Sequence, residues 1–328
     1  MGDPSGVGPE VIMKSMASPA LKELAVFVIV GDAGVLEKAS GPVYGGKLAV
    51  HQLAEEPEEI FLDESLVNIV APGVPLENVK PGDPTDEGSR KALECLDTAV
   101  RLMREAPGEK TSKAMVTAPL SKERIARIHP GFVGHTEYLQ QAYSSELVTM
   151  VMVGETLCVV PVTRHIPLKE VASNLTADLI LKTLAQVSGN RELVCGRKDA
   201  RIGVCALNPH CGEGGKIGRE EIDMIGPAVE KARALYGNIE GPLSADVIFY
   251  KAMKKEMDIV VCMYHDQGLS PFKMVDFDNG VNMTLGLEHV RTSPDHGTAY
   301  DIAGKGVAGS RSMERAIELA ARAIAFKG

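Results

Sequence analysis

The chain has no tryptophan and few rings of any kind, with aromatic residues at 4% of its 328 positions. That leaves too few stacking platforms for a protein that grips nucleic acid through its bases. A basic excess is missing as well. The formal net charge of −9 works against a polyanionic polymer as partner, although a few local cations suffice for a small phosphate. The apolar runs, Leu157 to Val162 among them, are far too short to cross a bilayer. No signal peptide is recognisable, and the six cysteines (Cys95, Cys158, Cys195, Cys205, Cys211, Cys262) show no CxxC spacing. Three of them sit inside apolar runs, the usual setting of a buried free thiol. These absences predict a soluble, cytoplasmic protein with reduced thiols, no membrane segment and no nucleic-acid partner.

What is present is a regular alternation. A chain of this length exceeds the size at which one core stops growing, so two domains are expected. Residues 25–30, 68–71 and 114–117 read as strands ending at Gly or Pro. Between the last two, residues 87–105 place Ala92, Cys95, Leu96, Ala99 and Leu102 at helical spacing. Residues 220–235 and 313–326 repeat the helical pattern. Strands separated by helices imply parallel sheet and an α/β class. Residues 148–153 and 157–162 flank Gly154-Glu155-Thr156 and predict an antiparallel hairpin, hence a mixed sheet in the middle of the chain.

Three histidines close three apolar runs: His165, His210 and His265. Ligands of α/β sheets collect beyond the carboxyl ends of strands. Three imidazoles at such an edge can form a metal site with an open position, with Asn208, Asp266 and Gln267 as neighbours able to orient them. The plainer alternative is three unrelated histidines making turn hydrogen bonds.

Phosphate-binding features are also legible. His135 and Thr136 precede a predicted helix; Thr136 would cap it, and the amides of that turn favour an anion. Lys273 and Arg291 flank residues 280–286, Arg291 as a two-pronged clamp and Lys273 as a point charge, or both as plain surface cations. The segment Gly2 to Glu10 lacks the GxGxxG spacing, because Val11 occupies the third glycine position. It reads as a loop lining a pocket, with Pro9 near a helix start. Residues 295–308, rich in glycine and small side chains, permit close backbone approach to a flat ligand.

Taken together, the blocks MGDPSGVGPE, VTAPLSKE, GHTEYL, LNPHCGEGGKIGREE, GPLSAD, MYHDQGLSPFK and GVNMTLGLEHVRTSPDHGTAYDIAGKGVA resemble, in order and along essentially the whole chain, the 4-hydroxythreonine-4-phosphate dehydrogenase family of vitamin B6 synthesis. The resemblance implies an isocitrate/isopropylmalate dehydrogenase-like fold: two α/β domains with a cleft between them. Residues 1–122 with 284–328 would form the outer, nucleotide-side domain, and 123–283 the central one with the metal site. It further implies a homodimer with shared active sites, in which His165 and His210 come from one chain and His265 from its partner. Substrate contacts would fall on His135, Thr136, Lys273, Asn282 and Arg291. The loop beginning His296, Gly297, Thr298, Ala299 is similar to the adenine-side NAD loop of isopropylmalate dehydrogenases. Asp246 and Asp266 occupy positions where the family keeps acids near the metal, so both are candidate catalytic groups.

Two departures stand out. The family has a strand before the GDP block that this chain does not show, and Cys211 replaces the alanine that commonly follows the second histidine. The implied activity is oxidation, with decarboxylation, of 4-phosphooxy-L-threonine to 3-amino-2-oxopropyl phosphate. The cofactors would be NAD or NADP and a divalent metal, zinc foremost, with magnesium or cobalt as alternatives. A branch acting on 4-phospho-D-threonate or phospho-erythronate is the nearest alternative activity. A phosphate acyltransferase of similar fold is the alternative from another class.

Overall fold

Helices form where apolar residues recur every three to four positions and an oxygen-bearing side chain can close the first turn. The helix Asp86–Glu105 shows both: Ala92, Cys95, Leu96, Val100 and Met103 are buried along one face. Thr85 accepts the Gly88 amide at 3.0 Å just before it. Asp86 and Glu87 in its first turn and Arg104 in its last complement the helix dipole. In a computed structural model, residues 1–44, 50–53, 67–105 and 113–327 are described.

In chain order these include α1 (Gly8–Met16), β1 (Val28–Val30), α2 (Ala33–Tyr44), β2 (Val50–Leu53), β3 (Val67–Val70), α3 (Asp86–Glu105), β4 (Ala114–Val116), α4 (Lys122–Ile128) and α5 (His135–Ala142). There follow β5 (Thr149–Val153), β6 (Cys158–Pro161), α6 (Ala177–Gly189), β7 (Ile202–Cys205), α7 (Gly226–Tyr236), β8 (Ile239–Leu243), α8 (Ala245–Met253), β9 (Ile259–Cys262), α9 (His265–Asp276), β10 (Val281–Leu285), β11 (Val290–Pro294) and α10 (Arg311–Lys327). Most predicted elements are present within a few residues of their expected ends. The predicted helix 220–235 differs: it opens with a π-turn, Glu221–Ile225, before α7. As the Gly2–Glu10 segment predicts, Pro9 lies at the start of α1.

Internal contacts divide the chain into Met1–Ser145 with Leu287–Gly328, and Glu146–Gly286. The change-over near 145 falls later than the 122/123 boundary expected from the sequence, because α4 and α5 pack on α3. Leu139 is buried with Leu96, Val100, Met103 and Met115, and the Tyr138 hydroxyl donates to Asp97.

In the first unit β1, β3 and β2 form a parallel sheet in that order, and β4 pairs in parallel with β11. Val7, Val11, Ile29, Leu36, Ile69 and Ile317 share one core cluster there. In the second unit the described strands run β10-β5-β6-β9-β7-β8. The pairs β10/β5 and β5/β6 are antiparallel, while β6/β9, β9/β7 and β7/β8 are parallel. The expected hairpin and mixed sheet are therefore both present. Its turn is fastened by the buried Asp276 carboxylate, which accepts the amides of Glu155, Thr156 and Leu157 at 2.8–3.2 Å. A Cβ at Gly154 would collide with that carboxylate, which explains the glycine. Cys95, Cys158, Cys205 and Cys262 are buried, and all six thiols are free.

Candidate active site

The second unit brings two of the three strand-end histidines together, and the sheet register explains how. Strands β6 and β9 pair Val160 with Val261 and Pro161 with Cys262. The pairing continues past the strand ends: Val162 donates to the Cys262 carbonyl at 2.8 Å and Thr163 to that of Met263 at 3.2 Å. The Thr163 hydroxyl adds a bond to the same Met263 oxygen at 2.8 Å. Two residues further along each segment, the rings of His165 and His265 stand 5.5 Å apart between centroids, tilted by 45°. Gln267 ties a third strand end to this edge. Its side-chain oxygen accepts the Met263 amide at 2.7 Å, and its nitrogen donates to the Ala206 carbonyl just after β7, also at 2.7 Å.

His210 lies beyond β7 in a segment with unusual backbone. Residues 210–214 all have φ between 46° and 75°, the left-handed region, although His210, Cys211 and Glu213 carry a Cβ. Each such residue costs roughly 1–2 kcal/mol, and strain of this kind persists only where surroundings enforce it. The His210 Nδ1 lies 3.1 Å from a Glu213 carboxylate oxygen. That bond, then the charges of Glu213 and Asp246, raises the imidazole above its ordinary value.

These residues suit a divalent metal in one respect. The Nδ1 atoms of His210 and His265 each face a carboxylate, Glu213 at 3.1 Å and Asp266 at 2.7 Å. This leaves Nε2 for a ligand, the arrangement usual around bound metals. Among the described residues, however, no three His, Cys, Asp or Glu side chains of one chain gather around a common point. Asp246, the other acidic candidate, is exposed and accepts from the Ser244 hydroxyl. That bond, ahead of the His210 charge, holds it below the usual carboxylate range. Lys273, on the last turn of α9, lies 5.1 Å from the Phe277 ring centre. The Asn282 Oδ1 on β10 is buried without a hydrogen-bond partner, which suits a ligand donor.

In the first unit, Arg291 on β11 is buried at 3% exposure and so is no surface cation. Its guanidinium donates to the Thr117 hydroxyl from Nε at 3.2 Å and from a terminal nitrogen at 2.6 Å. Burial pulls it down to about 10, against the opposing influence of Glu137. A desolvated cation of this kind gains from an arriving anion. His135 and Thr136 do not precede α5 as expected; they are its first two residues. Gly134 is the cap, without a side-chain bond, because its extended backbone takes the position assigned to Thr136. The amides of that first turn still present a favourable end to an anion. Burial first, then the charges of Arg291 and Lys122 among others, holds His135 well below the usual histidine value.

The nucleotide-side loop is built against the GDP segment of the same unit. Val7 donates to the Thr298 carbonyl at 2.9 Å, and a Cβ at Gly6 would come within 2.9 Å of that oxygen. Tyr300 donates to Asp3 at 2.7 Å; burial and this bond push its phenol up to about 12. Ala299 has φ of 42°. The Nε2 of His296 is buried without a hydrogen-bond partner, and Gly297 has open space around it. Both features suit close approach of a ligand to this loop. Neither Thr117, which meets Arg291, nor Lys122, whose charge reaches His135, is singled out by the sequence. Lys122 sits in the VTAPLSKE block, but nothing there shows that it faces His135.

With mixed and parallel α/β sheets, histidines beyond parallel strand ends and a buried arginine near a helix start, the chain has the build of a phosphate-handling α/β enzyme. Residues 23–320 match the family described as Pyridoxal phosphate biosynthetic protein PdxA, and the chain belongs to that family. It is 40% identical to a 4-hydroxythreonine-4-phosphate dehydrogenase of Desulfosudis oleivorans, over 98% of this chain and 93% of the relative. It is also 40% identical to a D-threonate 4-phosphate dehydrogenase of Cupriavidus necator, over 98% and 96%. A crystal structure of 4-hydroxythreonine-4-phosphate dehydrogenase from Klebsiella pneumoniae superposes with a TM-score of 0.84 at 35% identity, covering 99% of this chain and 96% of that one.

The depressed His135 has a consequence for stability. Its folded-state value lies below the unfolded one, so its neutral form favours the fold fully above about pH 6.5. As pH falls below that, the unfolded chain takes up a proton that the folded chain refuses. Stability should then drop by about 1.4 kcal/mol per pH unit until the folded value is reached. Denaturant melts between pH 7 and 5 should show this component in the native chain and lose it in His135→Gln. Identical slopes for both would contradict it.

Proposed function

We propose that the chain is a 4-hydroxythreonine-4-phosphate dehydrogenase, oxidising 4-phosphooxy-L-threonine with NAD or NADP and a divalent metal, zinc foremost. The observation that carries this is full-length kinship with named 4-hydroxythreonine-4-phosphate dehydrogenases. In the first unit Arg291, His135 and Thr136 would bind the substrate's anionic groups, with the α5 amides adding favourable dipole. In the second, Lys273 would add a point charge and Asn282 would accept from a substrate donor. His165, His210 and His265 would hold the metal, Asp266 and Glu213 orienting two of them. His296, Gly297, Thr298 and Ala299 would line the nucleotide. Asp246, which accepts from Ser244, and Asp266, which faces His265, would be the two candidate proton acceptors. The bound groups would supply Lewis acidity at the substrate hydroxyl and a nicotinamide carbon to receive hydride. The oxo acid so formed would lose carbon dioxide to give 3-amino-2-oxopropyl phosphate.

We further infer a homodimer that shares its sites. The resemblance assigned His265 to the partner. The His165–His265 ring pair within one chain favours a different division, with this pair acting together and His210 coming from the second copy. Exposed apolar side chains in the second unit, Val247, Tyr250, Met274 and Phe277, are consistent with a subunit contact. The chain's equal identity to a D-threonate 4-phosphate dehydrogenase supports that activity as the second reading.

A substrate panel separates the two. With 4-phosphooxy-L-threonine, 4-phospho-D-threonate and phospho-erythronate, NADH or NADPH absorbance should show kcat/KM at least ~10-fold higher for the first, since one polar group can carry that much discrimination. The reverse ranking would assign the chain to the other branch, and no reduced nucleotide from any of them would overturn the dehydrogenase reading.

The division of ligands is tested by refolding mixtures of inactive variants. Random pairing makes about half the dimers mixed. His165→Ala with His210→Ala should then regain roughly a quarter of normal activity, each mixed dimer having one intact site. His165→Ala with His265→Ala should regain none. The opposite pattern would return His265 to the partner, and verified heterodimers inactive in both mixtures would mean that each chain completes its own site.

A further inference from the structure

The left-handed segment 210–214 needs something to enforce it, and the structure supplies a buried carboxylate. Glu221 is 5% exposed and opens the π-turn Glu221–Ile225, a local distortion that recurs at functional sites. One of its oxygens accepts the backbone amides of Leu207 and Asn208 at 2.8 and 2.7 Å. The other accepts the Asn208 side-chain nitrogen at 3.0 Å. These residues join the end of β7 directly to His210.

The same carboxylate limits the segment from its other side. A Cβ at Gly212 would come within 2.8 Å of Glu221 Oε2 and of the Gly218 carbonyl, so the turn closes against Glu221 only because residue 212 has no side chain. The loop is shut by the Ile217 amide donating to the Gly212 carbonyl at 3.0 Å. Entry and middle of the segment are therefore both referenced to one buried charge. His210 itself does not touch it.

We infer that Glu221 is the positioning residue for His210: its carboxylate fixes the left-handed turn in the form that presents the imidazole to a divalent cation. This rests on the reading of His210 as a metal ligand. A buried carboxylate meeting two backbone amides and a side-chain amide is a strong and directional anchor. Groups that orient ligands from behind typically change metal affinity by 10–100-fold when altered. Glutamine at this position loses the charge and offers a donor where one oxygen now accepts.

Cobalt(II) titration of the full-length, metal-stripped protein, read by visible absorbance, tests the inference. Glu221→Gln should raise the cobalt dissociation constant roughly 10–100-fold, with melting temperature and far-ultraviolet dichroism near native. Raising cobalt should restore kcat, because the defect lies in holding the ion. Gly212→Ala should weaken binding at least as much, since its Cβ would meet both that carboxylate and the Gly218 carbonyl in a left-handed backbone. Asp223→Asn, which removes an exposed charge paired with Arg219, should bind cobalt like the native chain. If native protein shows no cobalt binding that depends on His210, the metal reading fails. If it does, but folded Glu221→Gln binds with native affinity, the positioning role alone is overturned. A large fall in melting temperature with activity that excess cobalt leaves low would assign Glu221 a purely structural role. Should the Gln variant not fold, Glu221→Asp, which keeps the charge but shortens its reach to the residue 207 and 208 nitrogens, decides between the same outcomes.

Discussion

The candidate metal edge depends on the parallel pairing of β6 with β9. Parallel strands deliver chain segments to the same end of a sheet, and here the backbone bonds run on to Thr163 and Met263. His165 and His265 are thereby neighbours although 100 residues separate them in sequence. A shift of one residue in that register would turn alternate side chains to the opposite face and part the two rings. Strand β7 pairs with β9 on its other side, and Gln267 spans the ends of both, so three chain segments are referenced to one another before any ligand arrives.

Around this frame the chain keeps polar groups in places that burial makes costly. Arg291 and Glu221 are both nearly inaccessible, and an ion moved out of water must recover its hydration elsewhere. Glu221 recovers it from three nitrogens of residues 207 and 208. Arg291 has the Thr117 hydroxyl within reach of two of its nitrogens, and its desolvated charge is suited to an incoming phosphate or carboxylate. Both residues thus place charge where a plain core would hold a hydrocarbon.

Much of this was legible in the sequence, for physical reasons that differ by residue. Apolar runs closed by histidine gave away strand ends, and Gly154 between two such runs marked the hairpin. The cap of α5 lies at Gly134 rather than Thr136 because Gly134 adopts an extended backbone that the sequence does not signal, which puts His135 and Thr136 in the first turn. The π-turn at 221–225 leaves the same apolar periodicity as an ordinary helix. His210, Cys211 and Glu213 lie in a left-handed conformation against their own propensity, and only their glycine neighbours hint at it. The Thr117–Arg291 bond joins positions 174 residues apart, a proximity that no local pattern encodes.

In the proposed enzyme, the three strand-end histidines His165, His210 and His265 would bind one divalent ion. Elemental analysis of zinc-equilibrated, desalted protein tests it most directly. The native chain should retain about one ion per site, and His165→Ala, His210→Ala and His265→Ala should each lose it while keeping native dichroism. A folded variant of any of the three that retains the full complement of metal would contradict the account.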